Sequence, residues 1–170
     1  MVFFTKRWIF RTAAIVFGLS VFPASYAATA TGALLVSATV LSTCTVASTP
    51  VTFGNYVTAQ IDTTGSITVT CTLDVTSYNV GLGTGTGSGA TTSTRLLTSA
   101  TSNTLNYELF RDSGRTLNWG NIPASDTLAS TSNTSGSGAI KTFTVYARLP
   151  GSQTSAANVY TDTVAIAVNF

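Results

Sequence analysis

Histidine is absent from the 170 residues, cysteine occurs twice, and only 8% of the chain is charged. The first absence removes the general base of Ser-His-Asp and Cys-His machinery. It also removes the commonest ligand of a zinc site, so two cysteines alone make a poor tetrahedral centre. The scarcity of charge leaves no Lys/Arg cluster, and with it no electrostatic footprint for nucleic acid. Helical periodicity is missing as well: no segment combines 3.6-residue apolar spacing with caps. Long apolar runs are confined to the N-terminus.

That N-terminal run reads as an export signal. Lys6, Arg7 and Arg11 form a basic region, Thr12 to Val21 is a short apolar stretch, and Ser25-Tyr26-Ala27 is a small-x-small cleavage pattern. The apolar stretch falls short of the ~20 residues that cross a bilayer. Cleavage after Ala27 leaves one domain's length of chain with five basic and six acidic residues. The basic balance of the whole sequence therefore belongs to the signal, and the mature chain is weakly acidic. Export to an oxidising compartment makes a Cys44–Cys71 disulfide the expected use of the two thiols.

What is present has period two. In "SITVTCTL", Ile67, Val69, Cys71 and Leu73 alternate with hydroxyl residues, and "YNVGL", "NTLNYELF", "IKTFTVYARL" and "YTDTVAIAVNF" carry the same β-branched and aromatic signature. Glycine- and serine-rich connectors such as "GTGTGSGATTST" and "PGSQTSAAN" separate them. About seven short strands in this length predict an antiparallel, immunoglobulin-like sandwich. In the last segment Val164, Ile166, Val168 and Phe170 share a face that runs to the final residue. An uncovered apolar edge strand invites pairing with another chain. Near the other end, Ala30, Gly32, Leu34, Val36, Ala38 and Val40 fall in one register of a second alternating stretch, interrupted by Leu35 and Leu41. Its span, Ala30 to Val40, would reach roughly 36 Å if extended.

The pieces "STCTV", "FGNY", "GSITVTC", "YNVGLGTG", "TRLL", "LNYELFRD", "NWG" and "VYTDTVAIAVNF", in this order, resemble the spore coat protein U domain of archaic, Csu-type chaperone-usher pilins. The resemblance implies an all-β, incomplete immunoglobulin-like pilin fold that lacks its final strand. It divides the chain into a signal peptide (1–27), an N-terminal donor strand (28–41) and a pilin domain (42–170). Ala30, Leu34, Val36, Ala38 and Val40 would fill the groove of a neighbouring subunit. Val164, Ile166, Val168 and Phe170 would form the groove edge that a periplasmic chaperone captures. The implied partners are the chaperone, an outer-membrane usher and neighbouring pilin subunits in a head-to-tail homopolymer. The implied location is a cell-surface pilus that supports attachment and biofilm formation. Two alternatives share these features: a spore or cyst coat protein, and a tip or minor subunit that binds a surface.

Other motifs point to structure. The six carboxylates of the mature chain, Asp62, Asp74, Glu108, Asp112, Asp126 and Asp162, are scattered, so no catalytic pair is expected, and no cofactor or metal site emerges. Gly85 to Ala90 satisfies a dinucleotide-binding pattern in letters, but no helix signal follows it, and a loop is expected. Trp119 and Tyr107 could form a sugar-stacking platform; core packing with a polar handle is the favoured reading. Arg111 and Asp112 fit a turn leaving a strand, and Asn133-Thr134-Ser135 is read as a chance glycosylation match.

Overall fold

In a computed structural model the described residues are 27–131 and 140–170; the signal peptide up to Tyr26 and the Asn133-Thr134-Ser135 match lie outside them. They fall into two units divided between Ala38 and Thr39. In the first, residues 27–38 form no strand and their side chains are exposed.

The second unit is all-β. Its strands are β1 (Cys44–Thr49), β2 (Ile61–Cys71), β3 (Ser77–Leu82), β4 (Arg95–Ser99), β5 (Thr104–Phe110), β6 (Leu128–Thr131), β7 (Ile140–Leu149), β8 (Tyr160–Thr161) and β9 (Ile166–Asn169). A six-stranded sheet of order β1-β2-β7-β5-β4-β8 stands with a three-stranded sheet of order β6-β3-β9, and every pairing is antiparallel. Alternation builds the core. Ile67 and Val69 of β2, Phe143, Val145 and Leu149 of β7, Val80 and Leu82 of β3, and Leu105 and Leu109 of β5 all point into one buried cluster. The opposite parity carries threonine and serine. Thr68 and Thr142, for example, stand opposite each other in register with their hydroxyls 3.3 Å apart.

The arrangement is the immunoglobulin-like one that the sequence predicts. In the constant-type layout, strands A-B-E-D form one sheet and C-F-G the other. Here β1-β2-β7-β5 reproduce the first order, and β3-β9 stand as C and F. Among the described residues no strand occupies the G position beside β9.

Three local expectations are corrected. Leu73 does not continue the inward face of β2; it is exposed, because β2 ends at Cys71 in a turn where the amide of Val75 donates to the carbonyl of Thr72 at 3.2 Å, and Val75 takes the buried place. The segment from Tyr160 to Phe170 is not one strand. β8 pairs with β4 in the large sheet, whereas β9 pairs with β3 in the small one, so the chain changes sheets between Asp162 and Ala165. Phe170 lies beyond β9 and is 59% exposed instead of sharing the partly buried face of Val164, Ile166 and Val168, since the ladder with β3 stops at Asn169.

Cys44 and Cys71 are bonded, across a sequence separation of 27. They face each other in the β1–β2 register, so the bond staples the outermost strand to its neighbour.

Candidate functional site

A strand missing from the edge of a sandwich leaves two marks, an unpaired edge and an apolar gap, and both are present. β1 and β9 are edge strands of opposite sheets and come into contact along part of their lengths. Near the end of β1 and the start of β9 lies an open groove of about 300 Å³. Its apolar lining comes from both sheets and their connections: Val51, Phe53, Ile67, Leu82, Leu97, Leu109, Val164 and Ile166. Each sheet thus gives inward side chains to a space that no described strand fills.

β9 supplies the unpaired edge. Val164, Ile166 and Val168 pack against the core on one parity, while Thr163, Ala165, Ala167 and Asn169 are exposed on the other. β3 holds one edge of β9 from Leu82–Ile166 to Asn79–Asn169; the other edge has no ladder partner among the described residues. Unpaired strand edges template the addition of a further strand.

One polar patch of the groove wall centres on Asp162. The Tyr107 hydroxyl donates to Asp162 at 2.7 Å, and Asp162 also accepts from the amide and hydroxyl of Thr86 and from the amide of Thr163, each at 2.7 Å. Burial pushes the Tyr107 phenol far above its usual range, and the neighbouring Asp162 carboxylate adds to this. For Asp162, burial raises the carboxyl, but the hydrogen bonds from Thr86, Tyr107 and Thr163 outweigh it and the net shift is downward. In the sequence Asp162 is one of six scattered carboxylates. A signal was available: Asp162 shares the parity of Tyr160, Val164 and Ile166, an acid on the inward face.

The other candidates fall into the core or into turns. Trp119 is fully buried, donates its indole N–H to the carbonyl of Val80 at 2.8 Å and meets Phe143 edge-on. Tyr107 is buried too, so neither forms an exposed stacking platform. Asp112 closes a turn by accepting from the amides of Thr116 at 3.0 Å and Leu117 at 2.7 Å. Gly85 to Ala90 forms a loop. Among the described residues no three His, Cys, Asp or Glu side chains gather into a metal-binding group.

The proposed donor residues are all exposed where they stand: Leu34 is 88%, Val36 82% and Val40 86% accessible, and Ala30 and Ala38 are exposed as well. No strand is formed from 27 to 43.

Comparison with known proteins places the chain. The family model described as Spore Coat Protein U domain matches residues 30–167. The chain belongs to this family. Among solved structures, this Spore Coat Protein U domain is similar to a chain of the CsuC–CsuE chaperone–tip adhesion subunit pre-assembly complex from the archaic chaperone-usher Csu pili of Acinetobacter baumannii. The TM-score is 0.55 at 24% identity, over 78% of this chain and 40% of that chain. The likeness is one of fold, and the chain spans less than half of the length of its match. No curated protein matches it.

Proposed function

We propose that this protein is a structural subunit of a chaperone-usher pilus, in which the groove between β1 and β9 receives a strand from another molecule. The observation that carries this reading is an apolar groove lined from both sheets, beside an edge of β9 where no strand of the described residues takes the G position. Residues 28–41 are the donor. Ala30, Leu34, Val36, Ala38 and Val40 enter the groove of the next subunit, while main-chain bonds to β9 supply generic affinity. Full burial of Leu34, Val36 and Val40 contributes roughly 5 to 9 kcal/mol before entropy, at ~1.5 to 3 kcal/mol each.

Donor and groove are different surfaces of one chain, so the contact is head-to-tail and repetition gives a filament. Before assembly, a periplasmic chaperone covers the groove and engages Val164, Ile166, Val168 and Phe170. An outer-membrane usher then exchanges it for the next donor. Residues 1–27 direct export, and the product is an extracellular fibre for attachment and biofilm.

The family's description favours a second reading, a spore or cyst coat protein built by the same strand addition. Electron microscopy of cells expressing the whole locus, with and without this gene, separates the two. Loss of thin surface fibres on deletion supports the pilus subunit. Fibres of unchanged number and form, with the protein found in a cyst or spore wall, refute it.

A further inference from the structure

The change of sheets in the last segment is made by very little ladder. β8 is two residues long, β9 is four, and the crossing from Asp162 to Ala165 belongs to neither. A single main-chain bond, from the amide of Gly83 to the carbonyl of Ala165 at 2.9 Å, supports the end of that crossing. At its start stands Asp162, whose carboxylate receives four hydrogen bonds at 2.7 Å from Tyr107, Thr86 and Thr163. The fit is close. Gly85 holds φ +88°, and a Cβ on it would lie 1.9 Å from Asp162 Oδ2, so the Gly85–Thr86 turn cups the carboxylate in a way only glycine permits. Behind it, Phe53 from the segment following β1 packs edge-on against Tyr107, with ring centroids 6.1 Å apart. Phe53, Tyr107 and Asp162 all line the groove.

We propose that Asp162, clasped by Tyr107 and the Gly85–Thr86 turn, is a positioning residue that fixes where the last segment leaves the large sheet and thereby holds the free edge of β9 ready for an incoming strand. The proposal rests on the strand-accepting reading of the groove. The clasp stands at the hinge between two short strands, where few ladder bonds compete with it. Releasing it lets residues 162–165 drift and takes β9 out of line with the groove floor, while β2, β7 and β5 keep their own pairings.

The test uses the mature chain, residues 28–170, with a fluorescein-labelled synthetic peptide of residues 28–41 as the probe strand, alongside hydrogen exchange of the chain alone. Removing the hydroxyl in Tyr107→Phe should weaken peptide binding about 10-fold, and Asp162→Ala about 30-fold or more, the scale of one and of several hydrogen bonds to a carboxylate. Asp162→Asn keeps an acceptor for Thr86 and turns an N–H toward the Tyr107 oxygen, so it should stay within about 3-fold of wild type. Exchange in residues 162–169 should quicken in Tyr107→Phe and Asp162→Ala while β2 and β7 stay protected. Wild-type affinity in both variants overturns the positioning role, as does loss of protection in β2 and β7 in step with the loss of binding. If the wild-type chain fails to take up the peptide, the donor reading falls. The exchange arm still decides the clasp: unchanged protection of 162–169 in Tyr107→Phe refutes it.

Discussion

The guanidinium of Arg95 donates to the carbonyl oxygen of Trp119 at 2.8 Å, and both residues are wholly shielded from solvent. The same side chain donates to the carbonyls of Leu82 at 3.0 Å, Gly83 at 2.8 Å and Thr92 at 2.6 Å. Arg95 thereby ties the end of β3, the long loop before β4 and the tryptophan at the base of the core into one network. Burial lowers its pKa, a tendency that Tyr107, Asp162 and Asp126 partly offset.

Replacing Arg95 with methionine leaves four carbonyls without their donor inside the protein. Breaking such a buried charged network costs roughly 3 to 5 kcal/mol. Arg148→Met, which removes an exposed pair with Asp62, should cost roughly 0.2 to 1 kcal/mol. Urea denaturation of the mature chain measures both; equal midpoints for the two variants would contradict the network.

How much of this is legible in the sequence depends on what each residue has to do. The limits of β7 match the alternating run "IKTFTVYARL", because a strand at the centre of a sheet has one clean buried face. Arg95 gave no such warning. Arginine is mostly exposed in proteins, and only the convergence of four distant carbonyls makes its burial tolerable. The change of sheets after β8 was hidden for a geometric reason. Both sheets face the same core, so a chain passing from one to the other keeps its parity, and Tyr160, Asp162, Val164, Ile166 and Val168 alternate as one strand would. An open groove is an expectation that comes from the family resemblance and not from periodicity. The clasp on its wall comes from neither, since Tyr107, Thr86 and Asp162 are far apart in sequence.

The Cys44–Cys71 bond closes a loop with a sequence separation of 27, for which the chain-entropy estimate is about 3.5 kcal/mol. Non-reducing alkylation of exported protein should label neither cysteine. Reduction should lower the stability of the mature chain by that order, a shift readable in the urea midpoint. Two labelled thiols in exported material would contradict the pairing.

Stability should depend on acid in a defined direction. Arg148 donates to Asp62 at 2.9 and 3.0 Å and holds its carboxyl below the usual range, helped by Arg115; Asp162 is lowered by its hydrogen bonds in spite of burial. Both folded-state values lie below the unfolded value of about 3.9. The stabilisation is therefore present above about pH 4 and lost as pH falls through the folded values, where the unfolded chain binds more protons. Without histidine, little in the chain titrates between pH 5 and 8. Urea midpoints should be level across that range and fall below about pH 4, and Asp62→Asn should flatten the fall. A midpoint that drops between pH 8 and 5 would point to a different titrating group.

The donor reading separates assembly from folding, and one pair of neighbouring substitutions can tell them apart. Val36 is exposed in the chain itself, so a charge there costs its own domain little. In a neighbour's groove the same carboxylate would be desolvated among Ile67, Leu82, Leu109 and Ile166, at a cost of several kcal/mol or with forced protonation. Ser37 has the opposite parity; on the donor reading it would face solvent in the fibre, and it should then accept Asp within roughly 0.5 kcal/mol. Val36→Asp is therefore expected to bind its chaperone at a 1:1 ratio and yet yield no fibres, whereas Ser37→Asp assembles. Sheared-fibre yield and chaperone co-purification, measured on the same cultures, read both halves of the expectation. Wild-type fibre yield from Val36→Asp would exclude the register, and failure of that variant at chaperone binding would mean that residues 28–41 serve the chain's own fold.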